Sequence, residues 1–278
     1  MKSITKEEFA SNFLAALSEA HFKLRDDIKD FFLTLKENLS SENERKIVNI
    51  FIENFMIAED EKRALCQDTG YLQLFVEIGR DVKLEFDIQS TADEITADFY
   101  TKNYLRSSLI HPLTKQNTGN NTPVFVDYLI TEGDKLRVDI LVKGGGSENA
   151  TRTRLLLPAL QQKKIEDIIV EEIKALGSKA CPPYILGICI GGNLEKALYQ
   201  SKRLLLYKTY ENPMSEEEIS LAESLKDKLN RLPIGFQGLK FGPTVIDLKL
   251  KILPSHIATL PLAISVGCNS VRQASFVI

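Results

Sequence analysis

Apolar residues recur every three to four positions along the first sixty residues, and this spacing is typical of helices. Ser41 precedes Glu44 by three positions, which predicts a capping box at the start of a helix running through Phe55. We therefore expect a helical N-terminal part over about residues 1–63. Four residues of its first helix are spaced four apart and would share one face: Phe9, Phe13, Leu17 and His21.

Alternation of apolar and polar residues then replaces the helical spacing. Glycine-containing turns at residues 79–81 and 132–134 separate the alternating stretches into two pairs, which predicts two β-hairpins. Adjacent hairpins argue against a strict order of strand, helix and strand. We therefore expect an α+β fold, with a mixed, mostly antiparallel sheet covered by helices, in a single domain over residues 1–278. The alternating stretches cover residues 72–78, 82–88, 124–130 and 136–142.

Helical spacing returns after the second pair of strands. The pattern predicts a long helix over about residues 151–176 and a last clear strand over 244–253. Arg272 lies four positions after Cys268, so a helix starting there would place both side chains on one face.

Composition narrows the class of protein. The 278 residues carry a net charge of −3, and no basic stripe suggests nucleic-acid binding. The N-terminal residues are too charged for a signal peptide, and no apolar run reaches membrane-spanning length. We expect a cytoplasmic protein whose cysteines stay reduced. Their spacing matches no zinc finger: Cys66, Cys181, Cys189 and Cys268.

The first motif with chemical potential is Cys66-Gln67-Asp68-Thr69-Gly70, between a predicted helix and a predicted strand. A thiolate there could hold a metal, and the neighbouring carboxylate could act on a substrate. A buried cysteine followed by an Asp-Thr-Gly turn is the simpler interpretation of this motif alone.

Two loops are rich in residues that bind polar ligands. Residues 106–123 combine Arg106 with asparagines, threonines and a glycine, which could line a polar site, although an ordinary solvated loop is the alternative. The length of this loop favours a functional role. The glycines of residues 144–149 follow a strand, and their amides could bind an anion at a helix start. A tight turn explains the glycines equally well.

The remaining candidates lie in the second half of the chain. Cys181 precedes two prolines in a loop, whereas Cys189 lies inside an apolar strand, where cysteine is often only a small buried hydrophobic residue. His256 follows the last predicted strand. A lone histidine more often makes a structural hydrogen bond than it catalyses a reaction.

Taken together and in this order, the motifs from Cys66 to Arg272 resemble the N-terminal iron–sulfur domain of class I fumarate hydratases. The same domain occurs as the separate α subunit of two-subunit fumarases and L-tartrate dehydratases. The resemblance implies that Cys66, Cys181 and Cys268 hold a [4Fe–4S] cluster and that Cys189 does not. One iron of such a cluster has no protein ligand and acts as a Lewis acid.

The resemblance also implies roles in the reaction. Asp68 and His256 would form a proton-handling pair, because removing water needs a base at carbon and an acid at the leaving hydroxyl. The contacts to a dicarboxylate substrate would come from Gln67, Asp68, Arg106 and Gly145.

The expected activity is that of a hydro-lyase α subunit acting on a small 2-hydroxy dicarboxylate. Fumarate/malate is the first substrate we expect and L-tartrate the second. The chain ends at Ile278, ten residues after Cys268, so the resemblance implies a separate β subunit, and the isolated chain could pair as an α–α homodimer. A non-catalytic paralogue is the alternative, because residues 238–243 depart from the glycine run that is usual in the family.

Overall fold

Helices fill most of the first sixty residues of the computed structural model, which describes residues 2–278. After a short strand β1 (Lys2–Ile4) come α1 (Lys6–Phe22), α2 (Asp26–Asn38) and α3 (Glu42–Asp60). Thr5 caps α1 by accepting the Glu8 N–H through its side chain. The four residues predicted to share a face of α1 are all buried, so this prediction is confirmed.

The chain divides into two compact units, each with its own four-stranded sheet. The first unit comprises the residues up to Arg25, Phe51–Gly145 and Arg272–Ile278. The second unit comprises Asp26–Ile50 and Gly146–Val271.

The sheet of the first unit has the order β10–β5–β2–β4, and α1 packs against its strands β5 and β10. Its core is formed by α1, by α4 and by alternate residues of the strands. The elements of this unit that follow α3 are β2 (Tyr71–Gly79), β3 (Val82–Leu84), α4 (Ile88–Lys102), β4 (Phe125–Thr131), β5 (Leu136–Lys143) and β10 (Arg272–Val277).

Both predicted hairpins are wrong, although their strands exist. β3 pairs with β1 rather than with β2, and Ile88 already begins α4, because Asp87 caps that helix. β4 and β5 do not pair with each other. β2 lies between them, parallel to β4 and antiparallel to β5. Alternation shows which face of a strand is buried, but it does not determine the neighbouring strand.

The sheet of the second unit has the order β6–β9–β7–β8. α6 and α8 pack into the main core of this unit, while α7 contacts β7 and β9. Every residue of β7 is buried, as expected for a strand covered on both faces. The elements are α5 (Gly145–Asn149), β6 (Arg152–Leu156), α6 (Gln162–Leu176), β7 (Tyr184–Gly191), α7 (Leu194–Arg203), α8 (Glu216–Asn230), β8 (Val245–Leu253) and β9 (Leu260–Gly267).

Two further predictions in this half of the chain are wrong. The long helix over 151–176 is interrupted, because residues 152–156 form β6 at the edge of the sheet. The segment from Cys268 to Arg272 is not helical, since Gly267 ends β9 and Arg272 begins β10.

The α+β class with mixed, mostly antiparallel sheets is confirmed, because four of the seven strand pairings in residues 2–278 are antiparallel. The prediction of one domain over the whole chain stays a prediction. Within the described residues, no helix is both long enough and apolar enough to cross a membrane.

Candidate active site

Asp68 is held in place by two main-chain N–H groups. Its Oδ1 accepts the Gly70 N–H at 3.1 Å, and its Oδ2 accepts the Gly145 N–H at 2.7 Å. Gly70 has a φ of +71°, and a Cβ there would come within 2.6 Å of the Lys143 carbonyl oxygen. The motif at the start of β2 therefore turns against the end of β5 in a conformation that suits only glycine.

The loop over residues 106–123 is tied to the same motif. The Thr69 hydroxyl donates to the Arg106 carbonyl at 2.5 Å, and the Asn121 side-chain amide donates to the Gly70 carbonyl at 3.0 Å. Asn121 is fully buried, and its Oδ1 accepts the Ser108 N–H. The loop is thus an ordered neighbour of Asp68, and the side chain of Arg106 is exposed beside it.

The buried side chains of Tyr100 and His21 form a pair next to the main chain of this motif. The Tyr100 hydroxyl lies 3.0 Å from the Thr69 carbonyl oxygen and 2.9 Å from His21 Nε2, while His21 Nδ1 lies 2.9 Å from the Leu17 carbonyl oxygen. Burial, and then the charge of Arg272, lower the pKa of His21 to about 3. His21 is therefore neutral near pH 7. Nδ1 donates to the Leu17 carbonyl, and Nε2 lies beside the Tyr100 hydroxyl, which donates its proton to the Thr69 carbonyl.

Burial also raises the pKa of Tyr100, so this hydroxyl stays protonated. The charge of Arg272 opposes that rise, and the charge of Asp68 adds to it. Tyr100 is thus a neutral group between the Asp68 motif and the hydrophobic core. Neither Tyr100 nor His21 was expected at the site, because their side chains reach it only through the packing of α1 against α4.

Two of the predicted ligand cysteines lie together in the second unit. Cys181 has a φ of +55°, and its carbonyl accepts the N–H of Asn269, the residue next to Cys268. The Asn269 side-chain amide donates to the same carbonyl at 3.1 Å. Burial raises the pKa of Tyr184 to about 12, and the charges of Cys181 and Cys268 both add to the rise. The hydrogen bonds from Asn269 thus bring the chain segments of the two cysteines together.

Cys189 differs from these two residues in its surroundings. It is fully buried, and it packs with Ala197 of α7 and Ala263 of β9. Burial raises the pKa of its thiol to about 11. Because the thiolate is the form that binds metals, this environment disfavours Cys189 as a ligand.

The remaining predicted residues belong to both units. Cys66 lies in the first unit, is partly exposed, and its thiol donates to Gln67 Oε1 at 3.7 Å. His256 lies in the second unit in an exposed turn, where its Nδ1 accepts the Ala258 N–H at 3.1 Å. The proximity of Asp68 to His256, and of Cys66 to the other two thiols, stays a prediction.

The glycine-rich segment binds a carboxylate through one of its N–H groups, and that carboxylate belongs to Asp68. The segment begins the five-residue helix α5, and the N–H that Asp68 accepts is that of Gly145. No group of three His, Cys, Asp or Glu side chains within residues 2–278 is arranged to hold a single metal ion. The cluster therefore remains what the resemblance implies, and the contact between Cys181 and Asn269, next to Cys268, is the local feature that fits it.

The chain is similar to a known protein family and to individual proteins. The family model described as fumarate hydratase (Fumerase) matches residues 11–277. A Methanocaldococcus jannaschii protein named as a candidate L(+)-tartrate dehydratase subunit alpha is 33% identical over 92% of both chains. The L(+)-tartrate dehydratase subunit alpha of Escherichia coli O157:H7 is 28% identical over 98% of this chain and 90% of its own length.

The match over most of the chain shows that the protein belongs to the fumarate hydratase family. The names of the family and of these relatives all describe hydro-lyases, enzymes that add water to a substrate or remove it.

Proposed function

We propose that this chain is the α subunit of a [4Fe–4S] hydro-lyase that reversibly adds or removes water on a small 2-hydroxy dicarboxylate. The observation that carries the proposal is the Asp68 carboxylate, anchored by the N–H groups of Gly70 and Gly145 beside the loop that begins at Arg106. Membership of the fumarate hydratase family supports the same reaction class.

Asp68 is the proposed base of the proton-handling pair. Two main-chain N–H groups fix its orientation, and each oxygen keeps a lone pair that can accept a proton. A carboxylate held in this way does not need to reorient during the reaction. His256 is the proposed partner of Asp68 in this pair: its Nδ1 accepts a main-chain N–H, which leaves Nε2 as the ring nitrogen for proton exchange.

The substrate contacts are proposed from the exposed polar groups near Asp68. Arg106 can bind a carboxylate with two parallel hydrogen bonds, and Gln67 can donate through its side-chain amide. Gly145 would share its N–H between Asp68 and the substrate, because Asp68 already accepts it.

Cys66, Cys181 and Cys268 are the residues proposed to hold the cluster. Thiolates are the usual ligands of such clusters, and the Cys181 carbonyl accepts hydrogen bonds from Asn269, the residue next to Cys268. When bound, the cluster supplies a Lewis acid for the substrate hydroxyl.

The family description and the names of the relatives bear on the choice of substrate and on a partner subunit. The relatives are named as L(+)-tartrate dehydratases, which favours L-tartrate, whereas the family description keeps fumarate/malate in consideration. The relatives are also named as α subunits, so we propose a separate β subunit that completes the active site.

The test is anaerobic co-expression of this chain with a β subunit, followed by turnover assays on fumarate, malate, L-tartrate and D-tartrate. Activity on one or more of these acids, lost in Asp68→Asn with the cluster absorption intact, supports the proposal. A cluster-loaded complex with no activity on any of them would favour the non-catalytic alternative.

A further inference from the structure

Arg272 is a buried cation whose role the proposed reaction does not yet explain. It begins β10 opposite Val142 of β5, and only 4% of its surface is exposed. Its Nη1 is buried and has no hydrogen-bond partner within the described part of the chain. A buried donor left without a partner is costly, so folded proteins keep such groups rarely.

The guanidinium shares a small space with the proposed base. A Cβ built on Gly144 would lie 3.3 Å from Arg272 Nη2 and 2.9 Å from Asp68 Oδ2. A side chain at position 144 would thus meet both the cation and the carboxylate, and glycine leaves that space open.

Besides Asp68, the titratable groups His21 and Tyr100 lie near the charge of Arg272, and both are neutral. His21 is neutral because burial, with the charge of Arg272, lowers its pKa to about 3. Tyr100 is neutral because burial raises its pKa. Asp68 is therefore the acidic group that lies with Arg272 next to the Cβ position of Gly144. The guanidinium itself is buried, and burial strengthens electrostatic attraction.

We propose that Arg272 is a positioning residue for the reaction: its buried guanidinium holds the Asp68 carboxylate, across the space over Gly144, in the orientation that receives the substrate proton. This inference rests on the proposed function. The N–H groups of Gly70 and Gly145 each hold one oxygen of the carboxylate, and the cation adds an attraction beside Oδ2.

The kinetic test uses the complete α–β complex. Arg272→Met should lower kcat by on the order of tenfold or more, because small misplacements of a catalytic group are costly, and should leave KM nearly unchanged. Arg272→Lys should recover much of the lost kcat. Arg80→Met is the control, since this exposed arginine pairs with Glu132 at the surface.

Gly144→Ala tests the same geometry without removing a charge. Its methyl group would displace the Asp68 carboxylate or the guanidinium, so kcat should fall here too. If Arg272→Met does not fold, the kcat of Gly144→Ala tests the inference instead. An unchanged kcat in either folded variant overturns the inference, as does a raised KM with unchanged kcat, which would make Arg272 a substrate-binding residue.

A second readout does not depend on turnover. In the full-length α chain, Asp68→Asn, Arg272→Met and the double variant are compared by their urea unfolding midpoints. If the two groups interact, the shift of the double variant differs from the sum of the single shifts. Additive shifts overturn the inference. If the wild-type complex turns over no substrate, the proposed function fails, and this comparison alone decides whether Arg272 holds Asp68.

Discussion

At the scale of single residues, Cys189 and Cys181 differ in burial. A buried thiol loses its proton less readily than an exposed one. Cys189 lies in a fully buried strand, and burial raises the pKa of its thiol to about 11. Cys181 is exposed in a loop. Only thiolates bind iron well, so the two positions favour opposite outcomes.

We predict that Cys189→Ala retains the cluster, whereas Cys66→Ser, Cys181→Ser and Cys268→Ser each lose it. Iron and acid-labile sulfide, measured after anaerobic reconstitution, report the outcome. Alanine at position 189 removes the thiol without placing a hydroxyl in the buried strand. Loss of iron from Cys189→Ala, with retention in Cys181→Ser, would show that the ligands are assigned wrongly.

His21 makes a second prediction at this scale, for stability against pH. Its pKa is lowered from 6.5 to about 3 in the folded state by burial and by Arg272, and Tyr100 is the other polar group facing it. The unfolded chain therefore binds an extra proton between these values. The stabilisation by neutral His21 is complete above about pH 6.5 and is lost as the pH falls toward 3.

His21→Leu should therefore reduce the slope of unfolding free energy against pH in that window. The lost slope should approach about 1.4 kcal/mol per pH unit, the value for one proton. Urea unfolding at a series of pH values measures the slope. The control is His111→Gln, since His111 is exposed in the same unit. Equal slopes in wild type and His21→Leu would rule out this role for His21.

At the scale of elements, local pattern predicted most of the helices and the buried strands β2, β5, β7 and β8. It did not predict β1, β6, β9 or β10. The charged residues of β6 are not typical of a strand. In the structure Arg152 and Arg154 form ion pairs with Glu172 of α6. Pro261 argues against a strand in β9, yet it lies opposite Leu155 of the edge strand β6.

At the candidate site too, local sequence shows the motif, but it does not show which distant residues contact it. The motif around Asp68 is visible in the sequence, but its partner Gly145 is 77 positions away. Arg272 approaches Asp68 only because β10 pairs with β5. Strand pairing of this kind depends on the whole fold, and no local window of sequence contains it.

Gly187 gives a prediction about the packing of α7 on β7. A Cβ at this position would come within 2.0 Å of the Ser201 carbonyl oxygen, so Gly187→Ala forces helix and strand apart. Overpacking of this kind should lower the free energy of unfolding by about 1–3 kcal/mol. Gly146→Ala is the control, because its Cβ would meet its nearest atom, the Lys179 carbonyl oxygen, at 3.8 Å. Urea unfolding of both variants measures the difference, and equal stability would contradict the close packing.

At the scale of the whole molecule, the proposed site residues are distributed over both units, and several are open to solvent. Gln67, Arg106, Cys181 and His256 have exposed side chains. Water around exposed charged groups weakens the electrostatic contacts on which the proposed reaction depends. A partner that covers these residues would exclude that water and strengthen the contacts.

We therefore predict that the isolated chain, reconstituted with iron and sulfide, is inactive. Activity should appear on addition of the β subunit. It should saturate at one β per α, because one β subunit would complete each proposed site. Titration of reconstituted α with β under anaerobic conditions, with turnover and iron content measured at each point, checks this. Size measurement of α alone reports whether an α–α homodimer forms, so that self-association is separated from lack of a partner. Full activity of α before β is added would mean that this chain completes the site by itself.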